Sequence, residues 1–189
     1  MNTKTLSETL AKYSVERIIM MIYIKDLNIE DAKIYWELRL EALKISPEAF
    51  GSSYEDAVQT PINEIEERIK KDNNNYILGA FTADTQLVGM ARFTREQGLK
   101  LKHKGMITGV YVSSQYRGKG IAKDLIKEIL SRGKETEGLK QINLSVVRTN
   151  HVAVKLYKGF GFETFGIEKN ALIYNGQGYD EELMIYFFE

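Results

Sequence analysis

The sequence has no cysteine, two histidines, two prolines and one tryptophan in 189 residues. Without cysteine there is no disulfide, no thiolate nucleophile and no thiolate metal ligand. With His103 and His151 as the only imidazoles, a histidine-rich metal centre is disfavoured, and no metal is expected. Two prolines are too few for a proline-rich linker or tail. No stretch approaches the roughly 20 apolar residues that a membrane span needs. Net charge is also missing, since 26 basic side chains balance 26 acidic ones; that disfavours a general polyanion binder such as a nucleic-acid protein. What is present, 43% hydrophobic and 28% charged residues, is the balance of a folded globular chain of one domain, or one domain and a short extension.

The zero sum hides a distribution. Residues 1–95 carry 12 basic and 15 acidic side chains, residues 96–150 carry 11 and 5, and residues 151–189 carry 3 and 6. The middle segment therefore offers an anion the most favourable field. Lys100, Lys102 and Lys104 are equally well read as solubilising charges on a strand edge. The other basic residues cluster beside a glycine-rich turn.

Residues 1–20 read as an N-terminal extension with no long apolar core behind Lys4, so a secretory signal is not expected. A short amphipathic helix packed on the body is the competing reading of that segment. From residue 21 to 189 the pattern alternates strands and helices. A short strand at 22–25 precedes Asn28, which caps a helix with Asp31 in a capping-box position. Ile34, Tyr35, Leu38 and Ala42 supply its buried stripe. Pro61 opens a second helix to about residue 70. Strands at 76–82 and 86–95 form a hairpin, and a strand at 106–112 leads into residues 113–120. A helix follows at 119–133, with Ile121, Leu125, Ile126 and Ile129 on one face. Residues 141–147 alternate as a strand, Asn150 caps another helix, and strands at 164–171 and 182–188 close the chain. The expected fold is one mixed α/β domain without repeats.

The densest information lies in Val110-Tyr111-Val112-Ser113-Ser114-Gln115-Tyr116-Arg117-Gly118-Lys119-Gly120-Ile121-Ala122. The order is strand, tight turn, helix. Glycines at 118 and 120 let the backbone approach a ligand and free N–H groups at a helix start. Those donors and the positive end of the helix dipole suit a phosphate or diphosphate, with charge added by Arg117 and Lys119. A Walker loop fails, because Lys119 is followed by Gly120 rather than Ser or Thr. A dinucleotide fingerprint lacks its third glycine, since residue 123 is Lys. A glycine-rich turn that binds nothing is the remaining alternative.

Gln115-x-x-Gly118-x-Gly120, between an apolar strand and an amphipathic helix, resembles the coenzyme A-binding motif of the GNAT superfamily of acetyl-CoA-dependent N-acetyltransferases. The strand at 142–147 followed by Asn150, Ala153, Leu156, Tyr157, Gly161 and Phe162 is similar to that family's second motif. The resemblance implies a central, mostly antiparallel sheet with about four main helices, and acetyl-CoA as cosubstrate. It implies that backbone N–H groups of 117–122 hold the diphosphate, so that Arg117, Gly118, Lys119, Gly120, Ile121 and Ala122 form the cofactor turn together with Gln115. The pantetheine arm would lie along the strand at Val110 and Val112, and an N–H near Tyr111 or Val112 would polarise the thioester carbonyl. Tyr157 matches the general acid, although an aromatic on a helix's core face is the competing reading. Asn150 is both a helix cap and a family cofactor contact.

Many members carry a Glu on the strand before the turn, and residues 104–110 contain no carboxylate. Glu55, in the stretch 50–55, is then the candidate base, with His103 a weaker one and water a third. The acceptor is expected to be the primary amine of a small molecule or peptide. Residues 29–60 and 171–181 would line its pocket, with Tyr54, Tyr111, Tyr174 and Tyr179 as aromatic walls. Glu55, Asp56, Asp180, Glu181 and Glu182 would allow a cationic amine. A CoA-binding sensor without turnover is the alternative function, and a nucleotide-binding oxidoreductase is a third. The expected setting is cytoplasmic, without nucleic acid or membrane partners, and a homodimer through the C-terminal strands is one arrangement the resemblance implies.

Overall fold

The computed structural model of the chain describes residues 21–70, 72 and 74–189; the expected N-terminal extension at 1–20 lies outside the described residues. Seven strands form one sheet: β1 (Tyr23–Asp26), β2 (Asn75–Phe81), β3 (Leu87–Arg95), β4 (Lys104–Val112), β5 (Gln141–Val147), β6 (Glu163–Tyr174) and β7 (Gln177–Phe187). Their spatial order is β1-β2-β3-β4-β5-β7-β6. Every neighbouring pair is antiparallel except β4 and β5. The helices are α1 (Ala32–Ile45), a single turn α2 (Tyr54–Ala57), α3 (Ile62–Ile69), α4 (Ile121–Glu135) and α5 (His151–Gly159). The described residues adopt the expected mixed α/β architecture with four main helices.

Two apolar layers sandwich the sheet. On one face Leu125, Ile126 and Ile129 of α4 pack on Leu78, Val88, Phe93 and Ile142, all almost fully buried. Fully burying each such side chain is worth roughly 1.5–3 kcal/mol. On the other face Tyr35, Leu38 and Ala42 of α1 and Ile65 and Ile69 of α3 pack on Ile77, Met90 and Tyr111. Ile34, expected in the α1 stripe, is exposed; it sits one residue off the inward line that Ala32, Tyr35, Leu38, Ala42 and Leu43 define. Asn28 and Asp31 do close a capping box: the Asn28 side chain accepts from Glu30 N–H at 2.9 Å, and Asp31 accepts from Asn28 N–H at 3.0 Å. They do so on a turn of 3-10 helix that precedes α1.

Two irregularities matter for the site. Ile107 packs under α4 and Tyr111 packs under α1, although four residues along a regular strand should face the same way. The register slips between the pairs Arg92↔Thr108 and Met90↔Tyr111, and Gly109 there has φ +62°. A one-residue bulge flips every later side chain to the other face, and it delivers Tyr111 to the α1 side. The second irregularity is that β4 and β5 pair over only three residues, from Lys104↔Gln141 to Met106↔Asn143. The His103 carbonyl clamps that closed end, accepting from Lys140 and Gln141 N–H at 2.8 and 3.2 Å. Beyond it the strands part.

The C-terminal strands correct the expected loop at 171–181. They run through most of it, joined at Asn175-Gly176 with φ +50° and +75°. Two positive φ values in a two-residue connection suit the right-handed twist of a hairpin, and Asn-Gly is the pair that supplies them.

Candidate active site

The parted strands open a cavity of about 1080 Å³ that runs between the two helical layers. Its walls include β4 from Ile107 to Val112 and β5 from Leu144 to Val147, the unpaired stretches of the two strands. An edge of this kind presents N–H and C=O groups to an amide-bearing ligand. Of the predicted cofactor residues, Val110, Tyr111, Val112, Arg117, Gly118, Gly120, Ile121, Ala122 and Asn150 line the cavity. Gln115 and Lys119 are not on its wall.

At the glycine turn, Gly118 and Gly120 have φ +76° and +83°, a region open to glycine at little cost. A Cβ at either position would meet nothing within 4 Å, so the backbone itself is the exposed surface. Gly120 is the N-cap of α4, and no side chain caps it. The helix's first bond runs from Asp124 N–H to the Gly120 carbonyl at 3.0 Å. The amides ahead of that bond are a helix N-terminus opening on the cavity, which is an anion site in its own right.

The two basic side chains of the turn are placed differently from the expectation. Arg117 turns back, donating from Nε to the Val112 carbonyl at 3.0 Å, with its guanidinium 5.4 Å from the Tyr111 ring centre. Lys119 Nζ lies 4.9 Å above the Tyr116 ring. What the turn itself offers an anion is its amides, with Lys123 of α4 also on the cavity wall.

Tyr157 projects from α5 into the cavity wall and is 6% exposed, edge-on to Phe162. Burial pushes its phenol well above the ordinary value, so it stays protonated at neutral pH. Asn150 caps α5, accepting from Ala153 N–H at 3.1 Å, while also lining the cavity. Tyr111 is buried, and its hydroxyl donates to Glu41 Oε1 at 2.9 Å. Burial and then that carboxylate raise its phenol too.

The expected bases fare unequally. Glu55 is exposed on α2 and not on the cavity wall. His103 sits at the closed end of β4, away from the cavity. Two carboxylates do reach the wall, Asp56 and Glu181. Asp56 is taken up by the Ser53 hydroxyl, which donates to it at 2.6 Å. Glu181, opposite Val147 at the open end of β5, is half-buried, and its carboxylate has no ion pair or hydrogen bond among the described residues.

The other acidic residues expected to greet a cationic amine are already engaged. Asp180 pairs with Lys169 at 2.7 Å and Arg148 at 3.6 Å, and Glu182 pairs with Lys158 at 3.1 Å. Of the expected aromatic walls only Tyr111 is in place; Tyr54, Tyr174 and Tyr179 are elsewhere.

The cavity also holds a basic group that no sequence motif marks. Arg39 from α1, Arg68 from α3 and Arg92 from β3 all line the end of the cavity under α1, with Tyr35 and Trp36. All three guanidiniums act on the Tyr35 phenol, opposing the rise that burial imposes on it. Burial, with Arg68 nearby, holds the Arg39 guanidinium below its ordinary pKa. Arg39 Nη1 and Trp36 Nε1 are buried donors with no acceptor among the described residues. Leaving such a donor unpaired costs about 1–3 kcal/mol each.

Among the described residues no group of three or more His, Cys, Asp or Glu is placed to hold a metal ion, and no helix is long and apolar enough to cross a membrane.

Comparison with known proteins agrees with the geometry. A model described as the acetyltransferase (GNAT) family matches residues 36–162. The chain is 32% identical over 76 residues to the L-amino acid N-acetyltransferase AaaT of Escherichia coli, covering 40% of this chain and 47% of that protein. It is 33% identical over 67 residues to the spermine/spermidine N(1)-acetyltransferase of Bacillus subtilis, covering 35% and 41%. Matches of this kind span between 28% and 63% of the curated relatives' own length. In fold it is similar to the crystal structure of a GNAT-family acetyltransferase from Streptococcus pneumoniae, with a TM-score of 0.78, 21% identity, and coverage of 89% of this chain and 100% of that one.

Proposed function

The chain belongs to the acetyltransferase (GNAT) family, and from that membership we infer that it moves an acetyl group from acetyl-CoA to a primary amine of a small molecule or peptide. The observation that carries the reading is the parting of β4 from β5 beside an uncapped glycine turn, with Tyr157 in the wall of the gap. A pure nucleotide site would use the turn but has no need of the opened strand edge.

When bound, acetyl-CoA supplies the thioester whose acyl carbon the amine attacks. The chain's own groups then have five tasks. Amides of 118–122 hold the diphosphate. The open edge of β4 at Val110 and Val112 pairs with the amides of the pantetheine arm. A β4 N–H near Tyr111 or Val112 donates to the thioester oxygen as it gains charge. Tyr157 gives its proton to the departing sulfur, a transfer that needs a phenol still protonated when the C–S bond breaks. The attacking nitrogen must lose a proton as the C–N bond forms, and we assign that role to Glu181, directly or through a water, in place of Glu55.

The test is release of free thiol from acetyl-CoA with a panel of amines, together with calorimetry of CoA binding. Thiol release that depends on an amine supports acetyl transfer. CoA binding with no release for any amine supports the sensor alternative. NAD(H) binding without CoA binding would point to the oxidoreductase.

A further inference from the structure

The charges of the cavity are divided by position. The end under α1 carries Arg39, Arg68 and Arg92, while Arg117, Lys123 and Lys155 line the side of the glycine turn and α5, Glu181 lies on β7 and Asp56 is bound to Ser53. Among the described residues none of the three arginines is paired with a buried carboxylate. Arg92 is oriented by a neutral partner, donating from Nη2 and Nε to Asn75 Oδ1 at 3.0 and 3.3 Å. Arg68 meets Glu64 at 3.7 Å in an exposed pair, which competes weakly for it. Arg39 has no ion pair among the described residues; its guanidinium lies over the Phe50 ring at 4.4 Å and keeps one buried donor unused. Trp36 contributes a second unused donor at the same end.

Three like charges gathered around one end of a cavity repel one another, and an anion bound among them would relieve that repulsion. A planar guanidinium matches a carboxylate with two parallel N–H donors. Phe50 links this end to Tyr111 of β4, its ring 4.4 Å from the Arg39 guanidinium and 6.4 Å from the Tyr111 ring.

We propose that this end of the cavity binds the carboxylate of the acceptor, with Arg39 as its principal partner and Arg68 and Arg92 in support. The acceptor is then a zwitterionic amine of the amino-acid class, and polyamines are excluded by like-charge repulsion. The proposal rests on the acetyl-transfer reading above and narrows it.

The experiment uses the full chain and two readouts. Thiol release is measured with α-amino acids, ω-amino acids of increasing length, their amides, aminophosphonates and a polyamine. Binding of the same compounds is measured by calorimetry with CoA present. At least one free amino acid should turn over, with its amide losing about 100-fold in kcat/KM. Arg39→Met, which keeps the apolar stem over Phe50, should raise KM for the acid about 100-fold with little change for the amide. Arg68→Ala, at an exposed position that does not threaten folding, should raise it to a smaller extent. Preference for the amide, the polyamine or the phosphonate over the acid overturns the proposal while leaving acetyl transfer intact. Equal losses on acid and amide in Arg39→Met overturn it too. Binding of the acid but not the amide, lost in Arg39→Met and without any thiol release, sustains the carboxylate site and sinks the transfer reading. Failure of every acid to bind overturns the proposal.

Discussion

At the glycine-turn end the cavity is walled by backbone, while at the α1 end it is walled by side chains. The first end is made by Gly118, Gly120 and the amides that open α4, and the two cations of the turn itself, Arg117 and Lys119, are turned to other partners. The second is made by Arg39, Arg68, Arg92 and Trp36, delivered by three separate elements. A backbone site recognises any ligand with the right phosphate, because every residue brings the same N–H. A side-chain site is rewritten by a few substitutions. The contrast suits the proposed transfer, in which one cosubstrate is fixed and the acceptor is selected, and it predicts opposite sensitivities at the two ends.

The largest effects are expected between the ends, where the chemistry would lie. Tyr157→Phe should lower kcat for thiol release by about 100-fold or more while leaving CoA affinity within a few-fold, as loss of a positioned acid does. Glu181→Gln should lower kcat by a similar order, and Glu55→Gln should leave it unchanged; a reversal of that pair would restore Glu55 as the base.

Next come the ends themselves. Gly120→Val forces a β-branched residue to φ +83°, a strain of about 1–2 kcal/mol, and should weaken CoA binding about tenfold by calorimetry. Lys119→Ala should change it by no more than about threefold, since a surface charge is screened and here leans on Tyr116. If Lys119→Ala proved the worse of the two, the cofactor end would be a side-chain site after all.

The smallest effect lies outside the cavity. Hydrogen bonding from Lys169, then from Asn170 N–H, holds Asp180 below the usual carboxylate range. A depressed carboxylate contributes stability that is present above its ordinary pKa and fades as pH falls toward its folded value. Asp180→Asn should therefore flatten, slightly, the fall in thermal midpoint between about pH 7 and about pH 3.

How much of this could be read from the chain depends on how local each signal is. The helices of the site are legible because Leu125, Ile126 and Ile129 recur at 3.6-residue spacing. The turn is legible because Gly118 and Gly120 sit between a strand and that helix. Asn175-Gly176 carried an equally local hairpin signal, and it is the reason 171–181 is strand rather than loop. The arginines were harder. Each alone looks like a solvated charge, yet Arg39 lies four residues from the buried Tyr35, on the inward line of α1. Arg92 interrupts a β3 run that is otherwise buried from Leu87 to Phe93. A charge at an inward position was the available clue. Nothing comparable marks Glu181, which reaches the cavity only because β7 pairs with the open end of β5.

By itself the sequence determined the backbone half of the site: positive φ is a property of single residues, and a helix start is set by its neighbours in the chain. It also determined where Tyr157 would stand, since a helix cap and a 3.6-residue period fix that face. Only the tertiary structure decided the other half. Residues 39, 68, 92 and 181 converge because a bulge at Gly109, a parting of two strands and the packing of α1 and α3 on one sheet face bring them to one cavity. Such convergence depends on distances between elements far apart in the chain, which no local pattern records.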